Sequence, residues 1–292
     1  MKKAELFALA LTASTAFMAA PATWAQSTLE KVKSRNMLVV GYREDASPFS
    51  MSGGKTPMGY SIDLCAPIIE RIGQASGAKD LRVVYQAVEP ERAVALLKNG
   101  AVDLICANMS DTEARRKLVA FSPPIYYAGL RVLVRSSDKV ASVDQLAGKS
   151  VVTLGGTTAP ASIETYAAGR GLKWQVTRVL QHDAAMSQLA LGQVAGYARD
   201  DVLLMSALHS VKNPSDFTLL PERLSSEPIA IAYRQGDPTL QKLVDLSVVS
   251  AMRNGQLSQS YDKWFLKPIT PTQKAINLPM SPELSALLAA AK

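Results

Sequence analysis

Short apolar segments alternate with longer segments of helical periodicity along this chain, and the alternation restricts its possible folds more than any other feature. The continuous apolar run at 37–42 is typical of a buried parallel strand. The segment 59–71 then repeats apolar residues at helical spacing. Strands predicted at 81–85 and 101–107 flank a helix at 90–98. This part of the chain therefore predicts an α/β domain with a mainly parallel sheet.

The same alternation begins again after residue 124. Strands are predicted at 125–134, 150–154, 175–180, 195–198 and 229–233, and helices at 142–146, 155–168, 184–191, 238–253 and 258–265, with a short amphipathic helix after Ser281. The length of 292 residues corresponds to about two average domains. A second α/β unit is the simplest interpretation.

The first 25 residues have the three parts of a secretory signal peptide. Lys2 and Lys3 are basic, 6–20 is mostly apolar, and Thr23-Trp24-Ala25 offers a small-x-small cleavage site. A retained membrane anchor is the alternative, but it needs ~20 apolar residues. We therefore expect cleavage after residue 25 and export to the periplasm.

The charge distribution argues against nucleic-acid binding. The chain has 32 basic and 25 acidic residues, a formal net charge of +7, yet its basic residues are scattered and not interleaved with aromatic ones. A hydrophobic share of 48% also excludes wholesale disorder.

Cys65 and Cys106 are the only two cysteines. Cys65 lies in a predicted helix and Cys106 near a strand end, and both neighbourhoods are apolar. An exported protein can form one disulfide from this pair, but two buried free thiols fit the sequence equally well.

Polar and charged residues follow four of the predicted strands. Ligands of α/β proteins bind where the carboxyl ends of the strands face a crevice, so the loops after Tyr42, Ala107, Leu154 and Ala198 are the candidates. These loops carry residues suited to a small polar ligand: Arg43, Arg115, Gly156-Thr157-Thr158, Asp200 and Asp201. Arginine suits a carboxylate, the free N–H groups of a helix start suit an anion, and an aspartate suits an ammonium group. Surface exposure and helix capping are the alternatives for these residues.

The sequence lacks the motifs of common enzyme classes at the spacing that their chemistry requires. Gly53-Gly54-Lys55-Thr56 and Gly148-Lys149-Ser150 lack the upstream glycine of a phosphate loop, and no Gly-x-Ser-x-Gly elbow is present. His182 and His209 are the only histidines, so the sequence predicts neither a metal site nor a cofactor.

Ten segments, taken in order and at matching intervals, resemble the family 3 extracellular solute-binding proteins of ABC importers. They are 38–41 with 48–49, 59–64, 97–103, the stretch ending at Arg115, 120–122 with 126–127, 146–149, 156–158, 200–201, 236–238 and 261–265. The resemblance covers about 28–265, and within the family the chain is most similar to the glutamate/aspartate-binding group.

This resemblance implies a two-lobe α/β fold, the type II periplasmic-binding-protein fold, with a ligand cleft between lobes joined by two crossing strands near 125–131 and 226–230. Lobe 1 would comprise 26–128 and, with the C-terminal tail, 230–292, whereas lobe 2 would comprise 129–229. The implied protein is a monomer without a cofactor that delivers a polar amino acid to an ABC permease in the inner membrane.

The resemblance also implies roles for individual residues. Arg115, Ser110, Thr157 and Thr158 would bind the ligand's α-carboxylate. Asp200, the carbonyl of Asn108 and Ser110 would bind its ammonium group, and Tyr60 would flank its aliphatic part. Arg43, His182 and Ser122 match the glutamate/aspartate group and favour an acidic side chain.

Four residues depart from the family pattern, namely Asn108 in place of Gly, Ala46 in place of an aromatic residue, Pro123 in place of Asp and Leu130 in place of Thr. Two other functions stay open. One is an enzyme on the same fold, such as a cyclohexadienyl dehydratase, which needs a general acid among Glu44, Asp45 and Asp111. The other is a detached sensor domain, which the sequence does not favour because no membrane span or output domain follows.

Overall fold

The computed structural model of the chain describes residues 27–269 and 272–291, so the predicted signal peptide lies outside the described residues. The strands are β1 (Met37–Tyr42), β2 (Asp45–Ala46), β3 (Ser50–Met51), β4 (Arg82–Ala87), β5 (Leu104–Ile105), β6 (Ala120–Phe121), β7 (Tyr126–Arg135), β8 (Ser150–Leu154), β9 (Gln175–Val179), β10 (Gly196–Asp200), β11 (Phe217–Leu219), β12 (Ser225–Ile229) and β13 (Ala232–Tyr233). The α-helices are α1 (Thr28–Arg35), α2 (Tyr60–Ser76), α3 (Pro90–Lys98), α4 (Glu113–Arg116), α5 (Ala159–Gly169), α6 (His182–Ala190), α7 (Asp201–Leu208), α8 (Pro238–Arg253), α9 (Gln256–Tyr261) and α10 (Pro282–Ala291).

The first lobe is built on a five-stranded sheet in the order β4-β1-β5-β13-β6. β1 is parallel to β4 and β5, whereas β13 is antiparallel to β5 and β6. Successive residues of β1 face opposite sides of the sheet, as strand geometry requires. Leu38 and Val40 join one core cluster with Ile68 of α2, and Val39 joins a second with Leu97 of α3. Helices on both faces bury this sheet.

The second lobe is built on a six-stranded sheet in the order β11-β7-β10-β8-β9, with β12 also paired to β7. β8, β9 and β10 are mutually parallel, and β7 runs antiparallel to β10, β11 and β12. Val132 packs in a cluster with Ile163 of α5, and Leu133 packs in another with Leu189 of α6. Both lobes therefore have helices on the two faces of their sheets, and the predicted two-lobe α/β fold is confirmed.

The chain crosses between the two sheets along β7 and returns along β12. These strands are antiparallel neighbours, with Tyr126 opposite Ile229 and Leu130 opposite Ser225. All strands of the second sheet lie between 126 and 229, and the first sheet uses residues before 122 and β13. We propose the lobe limits 26–128 and 230–292 for lobe 1 and 129–229 for lobe 2 on this basis.

Helices with sequence signals at their ends agree best with the predictions. α3 and α8 begin at prolines and have the predicted bounds. α1 begins with the capping box of Ser27 and Glu30. Two strand predictions were too long. Only Leu104 and Ile105 of 101–107 join the ladder, and 229–233 divides into β12 and β13 because the amide of Ile231 donates to the side chain of Ser122 instead of a strand partner.

Cys65 of α2 and Cys106, directly after β5, form a disulfide inside the first lobe. Both residues are buried, at 1% and 0% exposure, and the apolar neighbourhoods expected from the sequence are present. Of the two alternatives that the sequence left open, the structure therefore has the disulfide.

We expect this disulfide to stabilise the first lobe. Closing a loop over a separation of 41 residues restricts the unfolded chain by about 4 kcal/mol in the chain-entropy description. A reducing agent should lower the thermal unfolding midpoint of the natural protein and leave that of the Cys65→Ala/Cys106→Ala variant unchanged. An unchanged midpoint in protein whose two thiols are shown by mass spectrometry to be free would contradict the prediction.

Candidate ligand-binding cleft

A cleft lies between the two lobes at the carboxyl ends of β1, β5, β8 and β10, which are the four strand ends predicted from the sequence. Its polar lining residues are Arg43, Asn108, Ser110, Arg115, Thr153, Thr157, Thr158, Arg199 and Asp200. Its apolar lining includes Val88, Ile105, Met109, Leu154 and Leu203. The cavity has a volume of about 60 Å³. A space of this size suits a small molecule and not a folded partner.

Asp200 is the acidic group of the cleft. It ends β10 and directly precedes α7, but its side chain does not cap that helix. Instead, its Oδ2 accepts a hydrogen bond of 3.2 Å from Nδ2 of Asn108 in the other lobe. Burial raises the pKa of the Asp200 carboxyl to about 6, although Arg199 and the Asn108 hydrogen bond act in the opposite direction. No basic side chain in the described ranges forms an ion pair with it.

Asn108 adds a second acceptor beside this carboxylate. Its Oδ1 is buried and has no hydrogen-bond partner among the residues that the structure describes. A buried polar atom without a partner costs free energy comparable to a lost hydrogen bond. This end of the cleft therefore favours a ligand group that donates several hydrogen bonds and carries positive charge.

Arg115 of α4 is a cation of the cleft whose partners are all neutral. Its Nη1 donates to the carbonyl of Ser110 at 2.9 Å, and its Nη2 donates to the carbonyl of Gly156 at 3.1 Å in the other lobe. Burial lowers the pKa of the Arg115 guanidinium, which still remains charged at neutral pH. No carboxylate of the described chain lies within ion-pair distance.

Three hydroxyl groups surround the space near Arg115. Thr157 donates to the carbonyl of Leu154 at 2.7 Å, and Thr158 donates to Oε2 of Glu227 at 2.6 Å. The hydroxyls of Ser110 and Thr158 approach to 3.5 Å across the cleft. Because α5 begins at the next residue, the backbone N–H groups at its start, apart from Pro160, which has none, are also available to an anion.

Arg43 and Arg199 form the other charged part of the cleft, and they share one carboxylate. Arg43 donates to Oδ1 of Asp45 from Nε at 2.9 Å and from Nη2 at 2.6 Å. Arg199, from the second lobe, donates from Nη2 to the backbone carbonyl of Asp45 at 3.0 Å and to its Oδ2 at 3.4 Å. Both arginines hold the pKa of the Asp45 carboxyl below its usual value, so the carboxylate is ionised.

His182 lies next to this group but lines an adjacent cavity with Asp45, Val88 and Gln181. Its Nδ1 is 3.1 Å from the hydroxyl oxygen of Tyr197. Burial, reinforced by the positive charge of Arg199, lowers the pKa of His182 to about 3. The imidazole is therefore neutral and adds no charge to the site.

Besides His182, two predicted site residues lie outside the cleft, which corrects the roles expected of them from the sequence. Tyr60 is fully buried at the start of α2, where its hydroxyl donates to the carbonyl of Ile125 and its ring packs 5.1 Å from that of Phe265. The Ser122 hydroxyl donates to the carbonyl of Pro123 and accepts from the amide of Ile231. Both hydroxyl groups therefore satisfy backbone atoms of the first lobe and do not face the cleft.

Three residues at the cleft were missed by the sequence analysis, namely Thr153 and Arg199, which line it, and Glu227, which contacts the lining residue Thr158. Arg199 lies in a mostly buried strand and is 6% exposed, so a charged residue in a buried strand was the available signal. Glu227 belongs to crossing strand β12 and binds Thr158 and Ser162. No local pattern indicated that this strand passes beside Thr158.

The three acids considered for the enzymatic alternative have partners in the protein. Asp111 pairs with Arg116, Asp45 pairs with the two arginines described above, and Glu44 accepts from the hydroxyl of Tyr42. No group of three metal-binding side chains comes together in 27–269 or 272–291. Over the same ranges, none of the helices combines the length and the apolar composition needed to cross a membrane.

Comparison with known proteins identifies the class. Residues 38–267 match the model of the bacterial extracellular solute-binding proteins, family 3. The chain belongs to this family.

Individual relatives agree with this assignment. The chain is 32% identical to the L-glutamate/L-aspartate-binding protein of Pseudomonas aeruginosa over 90% of this chain and 87% of the relative. It is 29% identical to the glutamate/aspartate import solute-binding protein of Escherichia coli over 97% of this chain and 94% of the relative. Among solved structures, an ancestral arginine-binding protein bound to arginine matches with a TM-score of 0.69 and 26% identity, over 79% of this chain and 99% of that one. The chain is accordingly a solute-binding protein and not an enzyme.

The raised pKa of Asp200 predicts how the ligand-free protein responds to pH. When the pKa of a carboxyl is higher in the folded protein than its ordinary value, the folded protein loses stability as the pH rises through the folded-state pKa, which is about 6 for Asp200. The Asp200→Asn variant should therefore unfold at a higher temperature than the natural protein, with a gap that grows between about pH 4 and about pH 7. Thermal unfolding without ligand measures the gap, and a gap of constant size across that range would contradict the prediction.

Proposed function

We propose that this protein captures an acidic amino acid, glutamate or aspartate, by closure of its two lobes and delivers it to an ABC permease of the inner membrane. One observation carries the proposal. Arg115 and Asp200 lie in the same cleft with opposite charges, and neither is paired with a charged side chain of the described residues. A zwitterionic ligand head complements both groups at once.

The head of an α-amino acid fits this arrangement chemically. Its carboxylate accepts from the Arg115 guanidinium, with help from the Ser110 hydroxyl and the amides at Thr157 and Thr158. Its ammonium donates to the Asp200 carboxylate and to the buried Oδ1 of Asn108. The carbonyl of Asn108, which the resemblance assigned to the ammonium, is thus joined in this proposal by the side-chain oxygen.

The charge of the remaining lining supports an acidic side chain. Arg43 and Arg199 both line the cleft, and among the described residues Asp45 is the carboxylate that pairs with them, so the two guanidinium groups exceed their carboxylate partner by one positive charge. In a site withdrawn from water, this excess favours an anionic group over a neutral or cationic one. Two relatives named for glutamate and aspartate support the same specificity.

The family and the sequence also support proposals about the location of the protein, its oligomeric state and its partners. We propose export to the periplasm with removal of residues 1–25, action as a monomer without a cofactor, and no contact with nucleic acid. The scattered basic residues support the last point. The permease partner is proposed from the import role in the name of the Escherichia coli relative.

Calorimetric titration with glutamate, aspartate, glutamine, asparagine and arginine tests the proposal. The natural protein should bind the two acids more tightly than their amides, and Asp200→Asn should weaken binding of every α-amino acid by at least about a hundredfold, because a desolvated ammonium loses its counter-charge. Asp216→Asn, which removes an exposed carboxylate of the same lobe, is the control and should bind as the natural protein does. Tight binding of amino acids by Asp200→Asn would remove Asp200 from the head-group site.

Closure should depend on the absence of a side chain at Gly156. A Cβ atom at this residue would lie 2.5 Å from the backbone N and 2.7 Å from the Cα of Glu91, in the other lobe. Gly171 has the same φ of +66°, but a Cβ atom there would meet no other atom within 4 Å. Gly171→Ala is therefore a matched control for the cost of that backbone conformation.

We therefore expect Gly156→Ala to weaken glutamate binding by about tenfold or more, while Gly171→Ala leaves it unchanged. Small-angle scattering should show that ligand no longer reduces the radius of gyration of Gly156→Ala. Equal affinities of the two variants would mean that the contact between Gly156 and Glu91 is not needed for ligand binding.

A further inference from the structure

Arg199 is a buried cation in the middle of the protein, and its position in the cleft is not explained by the proposed head-group site. It is 6% exposed and lies in β10 next to Asp200, the last residue of that strand. Removing a guanidinium from water costs several kcal/mol unless good partners compensate. The partners of Arg199 therefore indicate what this residue does.

Those partners compensate Arg199 only in part. Its one contact with a carboxylate, to Oδ2 of Asp45, is 3.4 Å long, whereas Arg43 holds Oδ1 of the same carboxylate at 2.6 Å. Charge-assisted pairs of good geometry are shorter, at about 2.7–2.9 Å. The Asp45 carboxylate is thus bound mainly by Arg43, and the guanidinium of Arg199 can bind a further anion.

Neutral groups lie beside Arg199. Its Nη2 donates to the backbone carbonyl of Asp45 at 3.0 Å. The uncharged pair of His182 and Tyr197, whose ring nitrogen Nδ1 and hydroxyl oxygen lie 3.1 Å apart, is close by and does not neutralise the cation. The other charged group that acts on Arg199 is Asp200, which the proposed function assigns to the ligand ammonium.

We propose that Arg199 is the residue that determines specificity, by binding the side-chain acid group of the ligand together with Arg43, and that Asp45 competes with that acid group for the two guanidinium groups. The inference rests on the proposed function, because it takes the ligand to be an α-amino acid whose head lies at Arg115 and Asp200. A dicarboxylic amino acid replaces the loose Asp45 contact of Arg199 with a close one. A side-chain amide cannot do so, since it carries no charge.

The position of Arg199 also connects specificity with closure. Arg43 and Asp45 belong to the first lobe and Arg199 to the second, so the pair between Asp45 and Arg199 is a contact across the cleft. An acid group bound by both arginines joins the same two lobes more tightly than Asp45 does. The closed form is then favoured most by ligands with an acidic side chain.

Two substitutions with opposite expected effects test the inference, and the quantity measured is the ratio of glutamate affinity to glutamine affinity by calorimetry. Arg199→Met should lower this ratio by about tenfold or more while glutamine affinity changes little, because only the acid needs the lost charge. Asp45→Asn should raise the ratio, because the competing carboxylate is gone. Arg178→Met, which removes an exposed arginine of β9, controls for net charge and should leave the ratio unchanged.

Arg199→Lys is a second variant in case Arg199→Met does not fold, and its ratio should lie between those of Arg199→Met and the natural protein. An unchanged ratio in Arg199→Met, or a lower ratio in Asp45→Asn, overturns the inference while leaving the proposed function intact. If the natural protein binds glutamine or arginine in preference to glutamate, the specificity in the proposed function fails and the inference fails with it. If it binds no amino acid at all, the head-group site fails as well.

Discussion

The interface between the lobes is organised around charges that the protein withdraws from water without neutralising them within the described residues. Arg115 donates only to carbonyl groups, and Asp200 accepts only from an amide. Each arrangement costs free energy in the ligand-free protein, and the cost is visible in the raised pKa of the Asp200 carboxyl and the lowered pKa of the Arg115 guanidinium. A ligand that supplies both missing partners recovers this free energy on binding. The site therefore gains affinity from groups that destabilise the empty protein.

The parallel strands within the two mixed sheets make this arrangement possible. Parallel strands present their carboxyl ends at one edge, so residues far apart in the chain reach the same crevice. Asn108 follows β5 in the first lobe and Asp200 ends β10 in the second, yet their side chains are hydrogen-bonded. The chain passes between the lobes through β7 and β12 alone in the described ranges, and Val202 and Leu203 of α7 pack with the apolar cluster of the first lobe. The charged residues lie near rigid strand ends. Opening or closing of the crevice therefore changes the distance between the charged residues of one lobe and those of the other.

The sequence was sufficient to predict the residues at strand ends, and it failed where tertiary packing decides the direction of a side chain. Arg43, Arg115 and Asp200 follow predicted strands, and all three line the cleft. Tyr60 begins a predicted helix near the same edge, but the apolar cluster that contains Phe49 and Phe265 turns its ring into the core.

Glu227 and Arg199 were missed for a related reason. Their roles depend on which strand passes which loop, and this is a long-range property that local periodicity does not contain. The division of the strand predicted at 229–233 has the same origin, since a side chain distant in sequence, Ser122, takes the place of a strand partner.

The polar contacts across the cleft are individually weak, and this affects how closure responds to ligand. The described cross-lobe hydrogen bonds include those from Asn108 to Asp200, from Arg115 to Gly156 and from Arg199 to Asp45, at 3.0–3.4 Å. Such bonds each contribute only about 0.5–1.5 kcal/mol when both states can bind water instead. Moving a two-state equilibrium from mostly open to mostly closed requires a preference of about 5.5 kcal/mol. A ligand that pairs Arg115, Asp200 and the arginines of the second charged group contributes ion pairs at both ends of the cleft. The charges of the bound molecule therefore contribute to closure, and a ligand with only a matching head would close the protein less completely than one that also carries an acidic side chain.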